Sequence, residues 1–503
     1  MKTKLTPFSR ILIALVIGTG LFFGVKMIIP TPKVDPATGL DTNDQEKVMT
    51  IGVVTWGGYA GGQYFNEGFK ASKNSRFFKD YGILVEFKLI DDFNASREAF
   101  KAGKVDLLWQ TADAFPTEVN GLKEFNPKIV FQTDWSRGGD AVVVRRGIAS
   151  VADLKGKKIA VAPMTPSHTF LLSLFKAGEL NIKDVQIIEV ASAIDAADLF
   201  KKQQVDAAVV WSPDDQACVE GVEGSKILIS TKTAKNIIAD IFYAKDEYIQ
   251  SHKEELRKLI EGWMIGASEI NSNEDNKKKA AQILADGLGQ PADFCLNAIN
   301  NARLCTAGDN INFFNLNGTF DGVSGEDLYN TMTVEYQKVG VVNGVVPSWR
   351  TIAYVDGVKA LKLSGPTHLA ENSSSFAPIK EDHKNVAAIS TKKVTISFAT
   401  GAYTLDENSK YVIDKEFVDI AKGFSGARIR IEGNTDNVGS VAPNKSLSKK
   451  RAQSVADYLI TAHNFDKNRI VVIGNGPDKP VDDNKTEDGR SKNRRTDFEL
   501  IPE

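Results

Sequence analysis

Hydrophobic and polar positions divide the chain into four stretches. Lys2, Lys4 and Arg10 precede an apolar run from Ile11 to Ile29 that is broken only by Lys26. A helix over that run would span ~28 Å, close to the hydrocarbon thickness of a bilayer. Residues 31–47 are polar and proline-rich and read as a tether. From Val48 short Val/Ile-rich segments alternate with helical periodicity: MTIGVVTW, ILVEFKLI, VDLLWQ, KIVFQ, AVVVRR, KKIAVA, VQIIEVA and VDAAVVW. That alternation predicts an open α/β sheet, and residues 247–306 read as mostly helical. Periodicity is lost over 364–390, where Ser, Pro and Asn dominate, so a linker is predicted there. As a random coil its ends would lie roughly 30 Å apart. VTISFA (394–399) then reads as the opening strand of a second, smaller domain.

Composition narrows the function. The chain has 503 residues, 42% apolar and 25% charged, with a net charge of −2. This excludes a largely disordered chain and a strongly basic nucleic-acid binder. Cys218, Cys295 and Cys305 are too few for a disulfide scaffold, although Cys295 and Cys305 could bridge. No zinc-like Cys/His spacing, HExxH or P-loop occurs, so no metal or cofactor is expected. The positive N-terminal flank predicts a cytoplasmic start and an exported remainder. No A-x-A follows the apolar core, so residues 1–30 are read as an uncleaved inner-membrane anchor, with the bulk in the periplasm. A cleaved signal and a soluble periplasmic protein are the alternative. Lys26 sits near one end and can snorkel.

The sharpest motifs lie at the C-terminus: VTISFATGAYTLDENSK, IRIEGNTDNVGS, NKSLSKKRAQSVADYL and DNKTEDGRSKNRR. Asp436 follows a strand in the TDNVG loop. Arg451 shares a helical register with Leu447, Val455 and Leu459, near the helix start, so the fold could bring it beside Asp436. A carboxylate next to a guanidinium complements a zwitterionic amino acid. The plain alternative is an intradomain ion pair worth about 0–1 kcal/mol. On these motifs residues 394–501 resemble the OmpA-like peptidoglycan-binding domain. The resemblance implies a non-covalent grip on the diaminopimelate of the stem peptide by Asp436 and Arg451, with Thr435, Asn444 and, more loosely, Arg494 at site positions. The family often has His where this chain has Asn434.

Upstream, TWGGYAGG, WQTADAFP, DWSRGGDAVVV, GKKIAVAPMTPSHTFLL and QQVDAAVVWSPD follow one another. By these, residues 48–363 resemble periplasmic solute-binding proteins of the nitrate/taurine/sulfonate type. That implies a two-lobed type 2 periplasmic binding protein fold, with the second lobe at about 146–240. Ligands in α/β sheets bind beyond the carboxyl ends of strands. Trp56, Gly57, Gly58 and Tyr59, then Thr111 and Asp113, then Ser167, His168 and Thr169, then Trp211 and Asp214 all occupy that place. Glycines allow close backbone approach. Ser167 and Thr169 at a helix start suit an anion. Asp113 and Asp214 with Trp56, Tyr59 and Trp211 suit an ammonium. A zwitterion or an amine-bearing oxyanion is the expected solute. Each residue also has an ordinary role: Trp109 and Trp135 as core, Ser167 as a cap, His168 as a structural histidine, and Arg137–Asp140 as a loop contact.

The expected whole is an α/β binding-protein fold, a smaller α+β OmpA-like domain at 391–503, and an N-terminal transmembrane helix. It reads as an envelope receptor with peptidoglycan, a small solute and an ABC permease as partners, and with no nucleic acid. A membrane-to-wall tether whose solute fold is only a spacer is the alternative. No nucleophile–base pair stands in order, so the chain is not read as an enzyme.

Overall fold

The computed structural model describes residues 47–372, 375–399 and 401–503. Residues 1–46, which hold the expected anchor, lie outside the described residues. Among the described residues no helix is long and apolar enough to cross a membrane.

The strands in chain order are β1 (Val48–Val53), β2 (Leu84–Leu89), β3 (Leu107–Thr111), β4 (Pro127–Ser136), β5 (Asp140–Val144), β6 (Lys158–Val161), β7 (Gln186–Glu189), β8 (Ala207–Trp211), β9 (Lys226–Ser230), β10 (Ala239–Lys245), β11 (Ala302–Leu304), β12 (Ser390–Val394), β13 (Arg428–Asn434), β14 (Ile470–Gly476) and β15 (Thr496–Ile501). They form three sheets, ordered β11-β4-β10-β3-β1-β2, β7-β6-β8-β5-β9 and β12-β15-β13-β14. β3 is buried along its whole length and β8 over its first four residues, as expected of central strands.

The first two sheets are the cores of two lobes. The chain crosses between them twice, from β4 to β5 and from β9 back to β10, which lies between β3 and β4. Both crossings are short, spanning residues 137–139 and 231–238. The second lobe therefore starts at Asp140 and its last strand ends at Ser230, earlier at both ends than the expected 146–240. The reason is local: Gly138 takes φ +128°, which turns the chain so that β5 begins directly after it.

The stretch after residue 363 is laid down on the protein rather than coiled. Leu369 O accepts from Thr306 Oγ1 at 3.0 Å, and Glu371 N donates to Asp309 Oδ1 at 2.7 Å. Phe376 N donates to Asp466 Oδ2 at 3.0 Å, and Val386 O accepts from Arg430 Nη1 at 2.7 Å. Composition reported lost periodicity correctly, but side chains of both flanking domains satisfy this backbone. The C-terminal domain in turn shares an apolar core with the second lobe, where Leu171, Phe175 and Ile237 join Ile389, Ile420 and Phe424.

Candidate functional sites

A small cavity lies where the lobes meet. Val54, Trp56, Tyr59 and Trp109 line it from the first lobe, and Gly139, Asp140, Pro166 and Trp211 from the second; Ile238 and Asp240 come from the return crossing. Its volume is about 30 Å³, so the cleft is shut down to the size of a few atoms. Two contacts seal it. The Trp56 indole fills the place of a Gly139 side chain, since a Cβ there would lie 2.1 Å from Trp56 Cη2. Phe93 of the first lobe meets Trp211 of the second with centroids 6.3 Å apart.

The expected solute residues divide into two groups. Trp56, Tyr59 and Trp211 line the cavity together. Asp113 sits fully buried behind it, accepting from Thr111 Oγ1 at 3.0 Å and Ala239 N at 3.2 Å. Gly57 and Gly58 make room for protein. A Cβ on Gly57 would strike the Ala298 backbone at 2.3 Å, and one on Gly58 would strike Asp134 Oδ2 at 1.9 Å. His168 accepts from Met164 N at 3.2 Å and packs edge-on against Tyr336; burial pushes its pKa down to about 4, so it stays neutral. Thr169 bonds Tyr336 Oη at 2.8 Å. Ser167 Oγ is buried and caps nothing. Asp214 does not line the cavity; it lies half-exposed, 4.0 Å from Lys201. The Arg137–Asp140 loop contact does not form. Arg137 pairs with Glu371 at 2.6 Å, and Asp140 accepts from Ser136 Oγ at 2.8 Å. Trp135 is core as expected, while Trp109 is both core and cavity wall.

Sequence reasoning missed Asp134, Asp140 and Asp240. Asp134 Oδ1 accepts from Trp56 Nε1 at 3.2 Å, and Asp240 Oδ1 accepts from Tyr59 Oη at 2.8 Å. Burial raises the pKa of Asp113 and of Asp140 to about 7, against the pull of Thr169 and Ser136 respectively. Burial also raises Asp134 and, with repulsion from Asp134, Asp240. The available signal was position: Asp134 and Asp140 flank the first crossing, and Asp240 stands just after the second. Among the described residues no cluster of three or more His, Cys, Asp or Glu could hold a metal ion, and the three cysteines are unbridged.

A larger, open cavity of about 700 Å³ lies in the C-terminal domain. Asp436, Thr435, Asn444, Arg451 and Arg494 all line it. The loop after β13 delivers Asp436, and the helix Val441–His463 delivers Arg451. Asp436 pairs directly with Arg494, whose Nη1 donates to Oδ2 at 2.7 Å; Oδ1 accepts from Val438 N at 3.0 Å. Arg451 donates from Nε to Ala402 O at 3.0 Å and covers the Phe398 ring at 4.8 Å. Burial lowers its pKa while Asp436 opposes the shift. Thr435 Oγ1 donates to Asp436 O at 2.8 Å, and Asn444 Nδ2 to Val438 O at 2.9 Å, so both shape the loop. Asn434 points inward to Asp497 at 3.1 Å, away from the solvent side. The arrangement presents the carboxylates of Asp436 and Glu487 and the guanidiniums of Arg451, Arg490, Arg494 and Arg495 to one cavity, which suits a group carrying both ammonium and carboxylate.

Residues 68–276 match the NMT1/THI5 like family and residues 397–494 match the OmpA family. Outer membrane porin F of Pseudomonas aeruginosa is 34% identical over 118 residues, which is 24% of this chain and 33% of that protein. Peptidoglycan-binding protein ArfA of Mycobacterium tuberculosis is 41% identical over 88 residues, 18% of this chain and 27% of that protein. The chain thus spans about a third or less of the length of these relatives. Among solved structures, the periplasmic aliphatic sulphonate binding protein SsuA from Escherichia coli is similar at TM-score 0.49 and 17% identity, over 62% of this chain and 99% of that one. The chain therefore carries an NMT1/THI5-like domain, folded as two α/β lobes, followed by a C-terminal OmpA domain.

Proposed function

We propose that this protein is an envelope receptor that captures a small solute between its lobes and binds peptidoglycan non-covalently through its C-terminal domain. The apolar run Ile11–Ile29 would hold it in the inner membrane with its bulk in the periplasm, and an ABC permease would take the solute. The observation that carries the wall-binding half is the open cavity in which Asp436, Arg451 and Arg494 face one space. A diaminopimelate side chain offers the matching ammonium and carboxylate. The name of the ArfA relative is in keeping with this reading. The test is co-sedimentation of the full chain with isolated sacculi. Asp436→Ala and Arg451→Ala should each abolish pelleting, and unchanged pelleting of both would sink the proposal.

The closed cleft of about 30 Å³ favours a second reading, in which the two-lobed module is a spacer between membrane and wall. The two readings part on whether the cleft opens for a solute.

A further inference from the structure

The cleft between the lobes is walled by indole and phenol rings and backed by carboxylates. Asp140 and Asp240 line it directly; Asp134 and Asp113 stand immediately behind, on Trp56 and on Ala239 N. All four are at least nine-tenths buried. Among the described residues none of the four has an ion-pair partner within 4.0 Å. The basic groups that approach are already engaged, Arg137 with Glu371 at 2.6 Å and Arg97 with Glu118 at 2.7 Å. The Asp140 carboxylate is incompletely bonded: Oδ2 accepts from Ser136, while Oδ1 and the Trp211 indole N–H that attracts it are both buried without a formed hydrogen bond. A buried acceptor without a donor costs about 1–3 kcal/mol, so something with a donor belongs there.

From these residues, and resting on the reading that the lobes capture a solute, we infer that the solute is a small protonated amine. Its N–H groups would be taken by Asp140 and Asp240, and its alkyl part held against Trp56, Tyr59, Trp109 and Trp211. Cations attract both the ring faces and the carboxylates. An oxyanion would meet repulsion here wherever the carboxyls are ionised. The absence of a metal-competent cluster separates the amine from a divalent ion. Without the amine, burial keeps carboxyl protons in the cleft; when the cation enters, those protons leave to solvent and charge balance holds. Binding should therefore tighten as pH rises through about 7, where Asp113 and Asp140 ionise. Asp134 and Asp240, raised by the same burial, face these carboxylates, as do the Tyr59 hydroxyl and the Arg137 guanidinium.

The experiment is calorimetric titration of the full chain with methylammonium, tetramethylammonium and methanesulfonate, at pH 6 and pH 8. Methylammonium should bind, about tenfold more tightly at pH 8 for each proton released. Binding at pH 6 should release protons, read from the buffer dependence of the heat. Asp140→Asn should weaken it at least tenfold while its melting curve stays cooperative. Binding of methanesulfonate alone would overturn the amine assignment and leave the receptor reading standing. Equal binding of tetramethylammonium, which has no N–H, would overturn the carboxylate hydrogen bonds. No binding of any probe would overturn both the inference and the receptor reading.

Discussion

Single residues decide both sites. Arg494 had the loosest motif match, yet it is the direct partner of Asp436 at 2.7 Å. Its side chain is 38% exposed, so the pair adds at most about 1 kcal/mol to folding. Arg494→Ala should therefore leave the melting temperature nearly unchanged while reducing sacculus pelleting, and Arg494→Lys should restore it only in part because the planar fork is lost. A large fall in melting temperature without loss of pelleting would make Arg494 purely structural. In the cleft, Asp140 has a folded pKa of about 7 against an ordinary 3.8. A raised carboxyl pKa stabilises the fold fully below about pH 4 and loses that contribution as pH climbs to about 7. Hence Asp140→Asn, which cannot ionise, should gain stability relative to the natural protein between pH 4 and pH 7, measured as the difference of two thermal melts. A constant difference across that window would mean that the carboxyl ionises freely. The C-terminal cavity was legible because Thr435, Asp436, Asn444 and Arg451, which line it, sit in short contiguous motifs. The cleft was half legible. Trp56, Tyr59, Asp113 and Trp211 follow strand ends, but Asp140 and Asp240 meet only because two crossings return to one place, which no local pattern encodes.

At the scale of elements, the GGYAGG stretch shows how one motif serves packing and site together. Gly61 and Gly62 lie on the short helix Ala60–Phe65 against the helix Lys253–Ser272, with Trp263 filling the space a Gly62 side chain would take, 2.3 Å from its Cβ. Gly266 answers from the other helix, where a Cβ would lie 2.2 Å from Gly61 O. Alanine at 266 would gain about 1 kcal/mol of helix propensity. Overpacking costs about 1–3 kcal/mol, and the obstructing atom is backbone that cannot rotate away. Gly266→Ala should therefore lower the melting temperature, and because the displaced helix follows directly on Tyr59, it should also weaken solute binding. A raised melting temperature would show the helices free to separate. The alternation of Val/Ile segments predicted β1 to β8, since apolar runs fully covered by helices leave few other solutions, but it left out β9, β10 and β11. It failed at VTISFA. β12 ends at Val394, and Thr395–Phe398 run on as cavity wall, with Phe398 beneath Arg451. A β-rich sequence can line a site without pairing.

Across the whole molecule, the C-terminal domain does not hang from a tether. It rests on the second lobe and on the return crossing between β9 and β10. Asn236 N donates to Gly423 O at 3.0 Å, Gly426 N donates to Thr233 O at 2.9 Å, and Ser425 Oγ donates to Asn236 Oδ1 at 2.6 Å. Thr233 and Asn236 belong to a segment that must flex if the lobes part, and Ile238 and Asp240 at its end line the cleft. Composition marked residues 364–390 as a spacer because Ser, Pro and Asn carry no periodicity, but it could not report the carboxylates and arginines that bind this backbone from either side. The physical consequence is coupling. If a solute closes the cleft and fixes the crossing, the bonds from the crossing to the C-terminal domain would carry that bias to the cavity there, and the reverse. A Cβ at Gly426 would lie 2.7 Å from Lys232 O, so Gly426→Val should pry this seam open. The natural protein should melt in one calorimetric transition, because its core is continuous across the seam, and the variant in two. Hydrogen exchange on the full chain then reads the coupling itself. Solute should slow exchange at residues 231–238 and 423–426 together in the natural protein, and only at the former in Gly426→Val. Protection confined to the cleft in both proteins would leave the two modules energetically independent, whatever their contact.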